Sequence, residues 1–387
     1  MAFAELGARV IKVENPNTAG DATRGWKLAS EDRESDISAY FACANWGKES
    51  MAVDFTTESG RHVVHDLIKQ ADIVVASFKP GDDKKLSLDY ATAKALNPSV
   101  IYGQINAYGE NDPRPGFDAI LQAEAGFTFL NGEPDGPPTK MPVALVDLLA
   151  SHQLKEGLLL SLLKRERTGE GGFVSVSLLQ AGVASLANQA TNFLTADYIP
   201  QRMGSEHPNI VPYGSILKCS DEIELVIAAA TERQFRKLMQ SLSLEDVAAD
   251  PRFETGAQRV ERREELLEII RAKASQLPAS QLAEKLVEEK VPFGYVNDMR
   301  AVFSQPGAEE IVLDYTGEEQ KLTGVRSLVA RGDAITPQQC VSPPPHFDQH
   351  REDILRQLLN YDDAKCEQLT AHGAFGPDAR GKGAFDS

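Results

Sequence analysis

A chain of 387 residues with 42% hydrophobic content is long for a single core and apolar enough to bury a large one, which predicts one large domain and a smaller one. Forty Lys and Arg against fifty-seven Asp and Glu give a net charge of −17, a field that repels polyphosphates and argues against nucleic acid or an anionic membrane as partner. Cys43, Cys219, Cys340 and Cys366 lie far apart without CxxC spacing, so no zinc site or disulfide framework is expected and a reducing compartment is the natural reading. No apolar run approaches the roughly 18 residues that span a bilayer, and no signal-peptide pattern opens the chain, which reads as intracellular.

In chain order, a short helical stretch at 1–6 runs through Gly7 into a predicted strand at 8–13 (ARVIKV). Further strands are expected at 51–55, 72–77 and 99–105, separated by helices at about 59–70 and 90–96. Such alternation predicts an α/β architecture with a parallel, Rossmann-like sheet. From 147 to 167 the sequence DLLASHQLKEGLLLSLLKRER has apolar residues on a helical period, basic residues in its last turn and Thr168-Gly169 beyond, which predicts a helix starting at Asp147. A strand at 173–177 and an apolar helix at 178–193 complete this block. Between about 210 and 303 a short strand (224–230) and charged amphipathic helices at 259–274 and 279–289 predict a second, smaller α+β domain. Pro-rich connections, a helix at about 352–359 and a Gly-rich, loose end at 373–387 follow.

No GxGxxG after a strand, GxxxxGK[ST], GxSxG or HExxH is present, which removes the main support for nicotinamide, nucleotide-hydrolysis and serine-esterase chemistry. His62 and His65, three apart on a helix, signal no third ligand and read as a solvated helix face, so no metal is expected. Asp147, after MPVALV and directly before the apolar helix, sits where backbone N–H groups and the helix dipole favour an anion. Position alone leaves two roles open, an ordinary N-cap and a reactive carboxylate.

The stretches GARVIKVE, GDATRGW, NWGKESMAVDF, DIVVASFKPG, LNPSVIYGQINAYG and RPGFDAILQAEAG, followed by GSEHPNIVPYGSI, VPFGYVNDMRAVF and PPPHFDQHREDIL, resemble in order the family III CoA-transferases (CaiB/BaiF type) from near residue 1 to about residue 370. The later stretches look most like succinyl-CoA-dependent dicarboxylate transferases of the hydroxymethylglutarate or glutarate type. The resemblance implies that Asp147 is the nucleophile, attacking an acyl-CoA thioester and then carrying CoA as an aspartyl thioester. It implies CoA contacts at Val53, Thr56, Ser77, Phe78, Lys79, Lys85 and Arg114, where cations suit the phosphates and Phe78 flanks the adenine or pantetheine arm. Arg202 and His207, in QRMGSEHPNIVPY, are expected at the distal carboxylate of a dicarboxylate acceptor.

The implied fold is a Rossmann-like large domain built from both ends of the chain (1–210 and 304–372), a small α+β domain at 211–303, a flexible tail at 373–387, and an interlocked homodimer. The implied partners are acyl-CoA and a small carboxylic acid, with no permanently bound cofactor. The location is cytoplasmic, or the mitochondrial matrix for a eukaryotic chain that starts further upstream. Three departures from the family pattern stand out. The family begins with one more strand and a turn reading AGP that helps wall the active site, so the expectation is either a start upstream of Met1 or an incomplete site. Asn15 replaces the usual basic residue, at the expense of a phosphate contact. Phe117 stands where racemase members carry a histidine base, and a phenyl ring cannot abstract an α-proton. The rival readings are an acyl-CoA racemase of the same family and a non-catalytic CoA-binding protein.

Overall fold

The computed structural model describes residues 1–317 and 321–376. The loose end expected at 373–387 lies outside the described residues from 377 onward. The chain divides into two compact units, one comprising Met1–Asn106, Leu154–Ser175 and the chain from Phe303, the other Ala107–Gln153 and Val176–Val302.

In the first unit, β1 (Val10–Glu14) runs parallel to β2 (Lys48–Ala52), with Val10 opposite Lys48 and Glu14 opposite Ala52. A separate sheet has the order β3 (Ile73–Ala76), β4 (Ile101–Asn106), β5 (Gly172–Ser177), and β3 is parallel to β4. The architecture is mixed α/β, but the strands expected in one parallel sheet are divided between two small ones. A late segment takes up hydrogen-bonding groups of β2. The Asp348 carboxylate accepts the Ala52 N–H at 2.9 Å, His350 Nδ1 accepts that of Ser50 at 3.2 Å, and the His350 N–H donates to the Ser50 carbonyl at 2.9 Å.

Beneath β1 and β2 lies a buried charge pair. Arg24, fully buried, meets Glu14 at 2.7 Å, the Ser50 hydroxyl donates to the same carboxylate at 2.6 Å, and Phe41 covers the guanidinium at 3.8 Å. A buried charge persists only with such pairing, so the GDATRGW segment is folded around Glu14.

β4, buried at nearly every position, fits a central strand covered on both faces. The helix Leu145–Thr168 lies on it. A Cβ at Gly103 would stand 3.1 Å from Leu154 and Leu158, and one at Gly157 2.6 Å from Val174 of β5, so glycine at both positions permits the close approach. The expected helix at 178–193 is two helices, Leu178–Ala184 and Asn188–Ala196, broken where Ala187 adopts a φ of 49°. The helix expected at 352–359 is one turn, Arg351–Asp353, continued by a π-helical turn, Ile354–Leu358.

In the second unit, β6 (Tyr213–Lys218), β7 (Glu224–Ala228) and β8 (Phe293–Tyr295) form an antiparallel sheet with β7 central. It shares one core, including Leu217, Leu225, Ile227, Phe235, Leu266 and Leu282, with the helices Glu232–Ser241, Arg263–Ala274 and Ala279–Glu288.

Candidate active site

The helix carrying Asp147 begins at Leu145, so Asp147 is its third residue and not its cap. The cap comes from elsewhere. MPVA, at 141–144, contains no Ser, Thr, Asn or Asp to accept the first N–H groups, and the Asp118 carboxylate does so instead, with Oδ1 2.8 Å from the Val146 nitrogen. Asp118 opens the helix Asp118–Glu124, and one turn on, the fully buried Gln122 donates from Nε2 to Asp118 Oδ2 at 2.7 Å. The same amide accepts the Met141 N–H at 2.8 Å and donates to the Val143 carbonyl at 3.0 Å. The segment leading into the Asp147 helix is thus clamped to a second helix through two side chains.

Asp147 itself is exposed, and among the described residues it has no hydrogen-bond or ion-pair partner. Its carboxyl is pushed above the usual aspartate range, first by the protein withdrawing water from it and second by the Asp118 carboxylate. These two effects oppose the helix dipole, which was expected to favour the anion, and exposure to solvent limits their size. An unpartnered carboxylate of raised basicity is equipped to act as a nucleophile.

The expected CoA contacts fall on both units. In the first, Val53 is fully buried in the core with Met51 and Val63, so its backbone alone is available to a ligand. Thr56 donates its hydroxyl to Asp54 Oδ1 at 2.5 Å. Phe78 sits edge-on to Phe55 at 6.1 Å, which brings the loop after β2 beside the loop after β3 that carries the exposed Ser77 and Lys79. Lys85, also exposed, ends the short helix Asp82–Lys85 and pairs with Asp82 at 2.8 Å. In the second unit, Arg114 is engaged by Asp112 at 2.9 Å and Glu124 at 3.5 Å and lies over Tyr108 at 3.8 Å.

Arg202 is half-buried, donates to the Phe129 carbonyl at 3.2 Å and leaves its buried Nε without a partner. His207 Nδ1 accepts the Asn209 N–H at 3.1 Å, and its ring stands edge-on to Tyr213 at 5.2 Å. No hydrogen bond or ion pair joins Arg202 to His207 among the described residues. Phe117 is 73% exposed immediately before Asp118. His62 and His65 share a cavity of about 320 Å³ with Lys69, Lys365 and His372, and no group of three metal-binding side chains is found among the described residues.

Asp118 and Gln122, which fix the start of the Asp147 helix, are not among the site residues the sequence singles out. Their signal is the i, i+4 spacing of an aspartate and a glutamine at a helix start, just upstream of a helix with no cap of its own.

The family model for CoA-transferase family III matches residues 1–351. The succinate–glutarate CoA-transferase of Agrobacterium fabrum (strain C58) is 34% identical over 365 residues, covering 92% of this chain and 90% of that protein. The succinyl-CoA:glutarate CoA-transferase of Mus musculus is 32% identical over 380 residues, covering 96% and 85%. Among solved structures, a CAIB/BAIF family protein from Brucella suis is similar with a TM-score of 0.78 and 34% identity, over 92% of this chain and 93% of that one.

Proposed function

The chain belongs to CoA-transferase family III and is a CoA-transferase, and from that premise we propose that it moves CoA from succinyl-CoA to another small carboxylic acid through a thioester on Asp147. In the first step the Asp147 carboxylate attacks the acyl carbonyl, and the C–S bond breaks to give a mixed anhydride and CoA thiolate. The thiolate then attacks the aspartyl carbonyl and releases the donor acid as its carboxylate. The acceptor carboxylate attacks the aspartyl thioester, and the returning thiolate takes the new acyl group and frees Asp147. Each of the four tetrahedral stages places negative charge near the positive end of the Leu145–Thr168 helix.

The observation that carries this reading is the Asp147 carboxylate itself, exposed at the start of a helix whose capping amide is satisfied by Asp118. The relatives named as succinyl-CoA-dependent transferases support the choice of donor. Lys79 and Lys85, exposed after β3, suit the CoA phosphates in a chain that is acidic elsewhere. Arg202 and His207 suit the distal carboxylate of a dicarboxylate acceptor. Racemase chemistry needs a base where Phe117 stands, and the neighbouring Asp118 carboxylate is held by Val146 and Gln122.

Replacing Asp147 with Asn keeps the size of the side chain and removes the anion. A coupled assay with succinyl-CoA and a panel of carboxylates is expected to show a loss of about a thousandfold or more in kcat with the fold retained. Transfer at near the wild-type rate would refute the role of Asp147.

A further inference from the structure

Resting on the reading of Asp147 as nucleophile, we propose that Asp118 is a positioning residue for transfer: fixed between the Val146 amide and the Gln122 side chain, it sets the start of the Asp147 helix and holds a second negative charge beside the nucleophile. Both carboxylate oxygens of Asp118 are committed, Oδ1 to Val146 at 2.8 Å and Oδ2 to Gln122 at 2.7 Å. A carboxylate held at both oxygens keeps one position, in contact with the backbone one residue away from the nucleophile. The Val146 amide is one residue before Asp147, so the bond that caps the helix also fixes the backbone from which the nucleophile projects.

The chemical consequence follows from the charge of each state. Asp147 is an anion before attack and a neutral acyl group in both the anhydride and the CoA thioester. Repulsion from Asp118 therefore weighs on the free carboxylate and is relieved once Asp147 is acylated. Repulsion that is strongest on the free carboxylate and weaker once the charge has moved to the substrate oxyanion speeds attack by Asp147. The direction in which the Asp147 carboxyl is shifted agrees, with Asp118 among its causes.

Other charged groups nearby have different engagements or lie elsewhere. Glu124, on the Asp118 helix, bonds Tyr108 and pairs with Arg114. Lys140 donates to the Met141 carbonyl at 3.1 Å. The helix Leu178–Ala184, which touches Val146 through Gly182, has no titratable residue. His152, Lys155 and Glu156 follow on the Asp147 helix itself.

The test compares Asp118→Asn with wild type. Asparagine keeps an oxygen for the Val146 N–H and removes the charge, but its NH2 takes the place of the acceptor used by Gln122 Nε2, so the melting temperature should fall by a few degrees with the fold retained. The expected result is a fall in kcat of about tenfold or more with KM for succinyl-CoA nearly unchanged. The acid limb of the kcat profile should move to lower pH, because losing a like charge lowers the proton affinity of Asp147.

The wild-type protein offers a check that needs no folded Asp118 variant: by carboxyl ¹³C NMR, Asp147 should titrate above the ordinary aspartate range. An unchanged kcat and acid limb in a folded uncharged variant, or an Asp147 that titrates at or below the ordinary range, would overturn the proposal. Failure of the Asp147 reading is distinguishable, since it would appear as transfer activity in Asp147→Asn whatever Asp118 does.

Discussion

Asp21 shows how a single carboxylate in the N-terminal segment makes stability depend on pH. Burial pushes its carboxyl up, but Lys12 Nζ at 2.6 Å and the N–H and hydroxyl of Thr23 outweigh burial and bring it from 3.8 to about 2. A folded-state value below the unfolded one means that the stabilisation is fully present above about pH 4 and is lost as pH falls through 2. With both side chains about a quarter exposed, screening leaves roughly 1–2 kcal/mol. Lys12→Met is expected to lower stability to urea by about that amount at pH 6, and the difference from wild type should vanish as pH drops from 4 to 2. A difference that persists undiminished at pH 2 would assign the loss to packing.

At the scale of elements, the approach of the helix Leu178–Ala184 to the start of the Asp147 helix depends on Gly182. A Cβ there would lie 2.9 Å from that of Ala125 and 3.6 Å from Val146 Cγ2, so one methyl group forces the elements apart. Gly182→Ala is expected to cost about 1–3 kcal/mol in chemical denaturation and to lower kcat more than KM, because Val146 precedes the nucleophile. Unchanged stability and kcat would show that the helices part without disturbing Asp147.

Most elements were legible because their signals are local. The helix expected at 59–70 is Glu58–Gln70, capped by Thr57, and that at 90–96 is Tyr90–Leu96, capped by Asp89. The Asp147 helix was placed two residues late, since its cap comes from Asp118, 28 residues upstream in sequence, and no local pattern announces it. The division of the parallel strands into two sheets was hidden for the same reason, as the partners of Ser50 and Ala52 are some 300 residues away at Asp348 and His350. The site was visible through Asp147 and through resemblance. What the sequence could not display was that Asp147 is not a cap, which requires knowing where Asp118 lies.

At the scale of the molecule, the surface carries large apolar side chains that a stable monomer has little reason to expose. Leu160 is 67% exposed and Leu163 51% on the Asp147 helix, with Leu194 at 79% and Ile199 at 60% further along the chain. Leu160 and Leu163, three apart on one helix face, make an uncovered apolar stripe of the kind an oligomer interface buries, which favours the homodimer that the resemblance implies. Light scattering at micromolar concentration is expected to give about twice the 42.2 kDa of one chain. A folded monomer at that concentration would contradict it.

Covalent transfer through the Asp147 carboxylate leaves an intermediate that can be trapped. Wild-type protein is mixed with succinyl-CoA, treated with hydroxylamine, digested with trypsin and analysed by mass spectrometry. Cleavage after Lys140 and Lys155 releases residues 141–155, in which Asp147 is the one side-chain carboxylate. The expected product is a hydroxamate on Asp147 that depends on succinyl-CoA and is absent from Asp147→Asn. A label on any other residue, or an unmodified 141–155 peptide from an enzyme that is turning over, would contradict it.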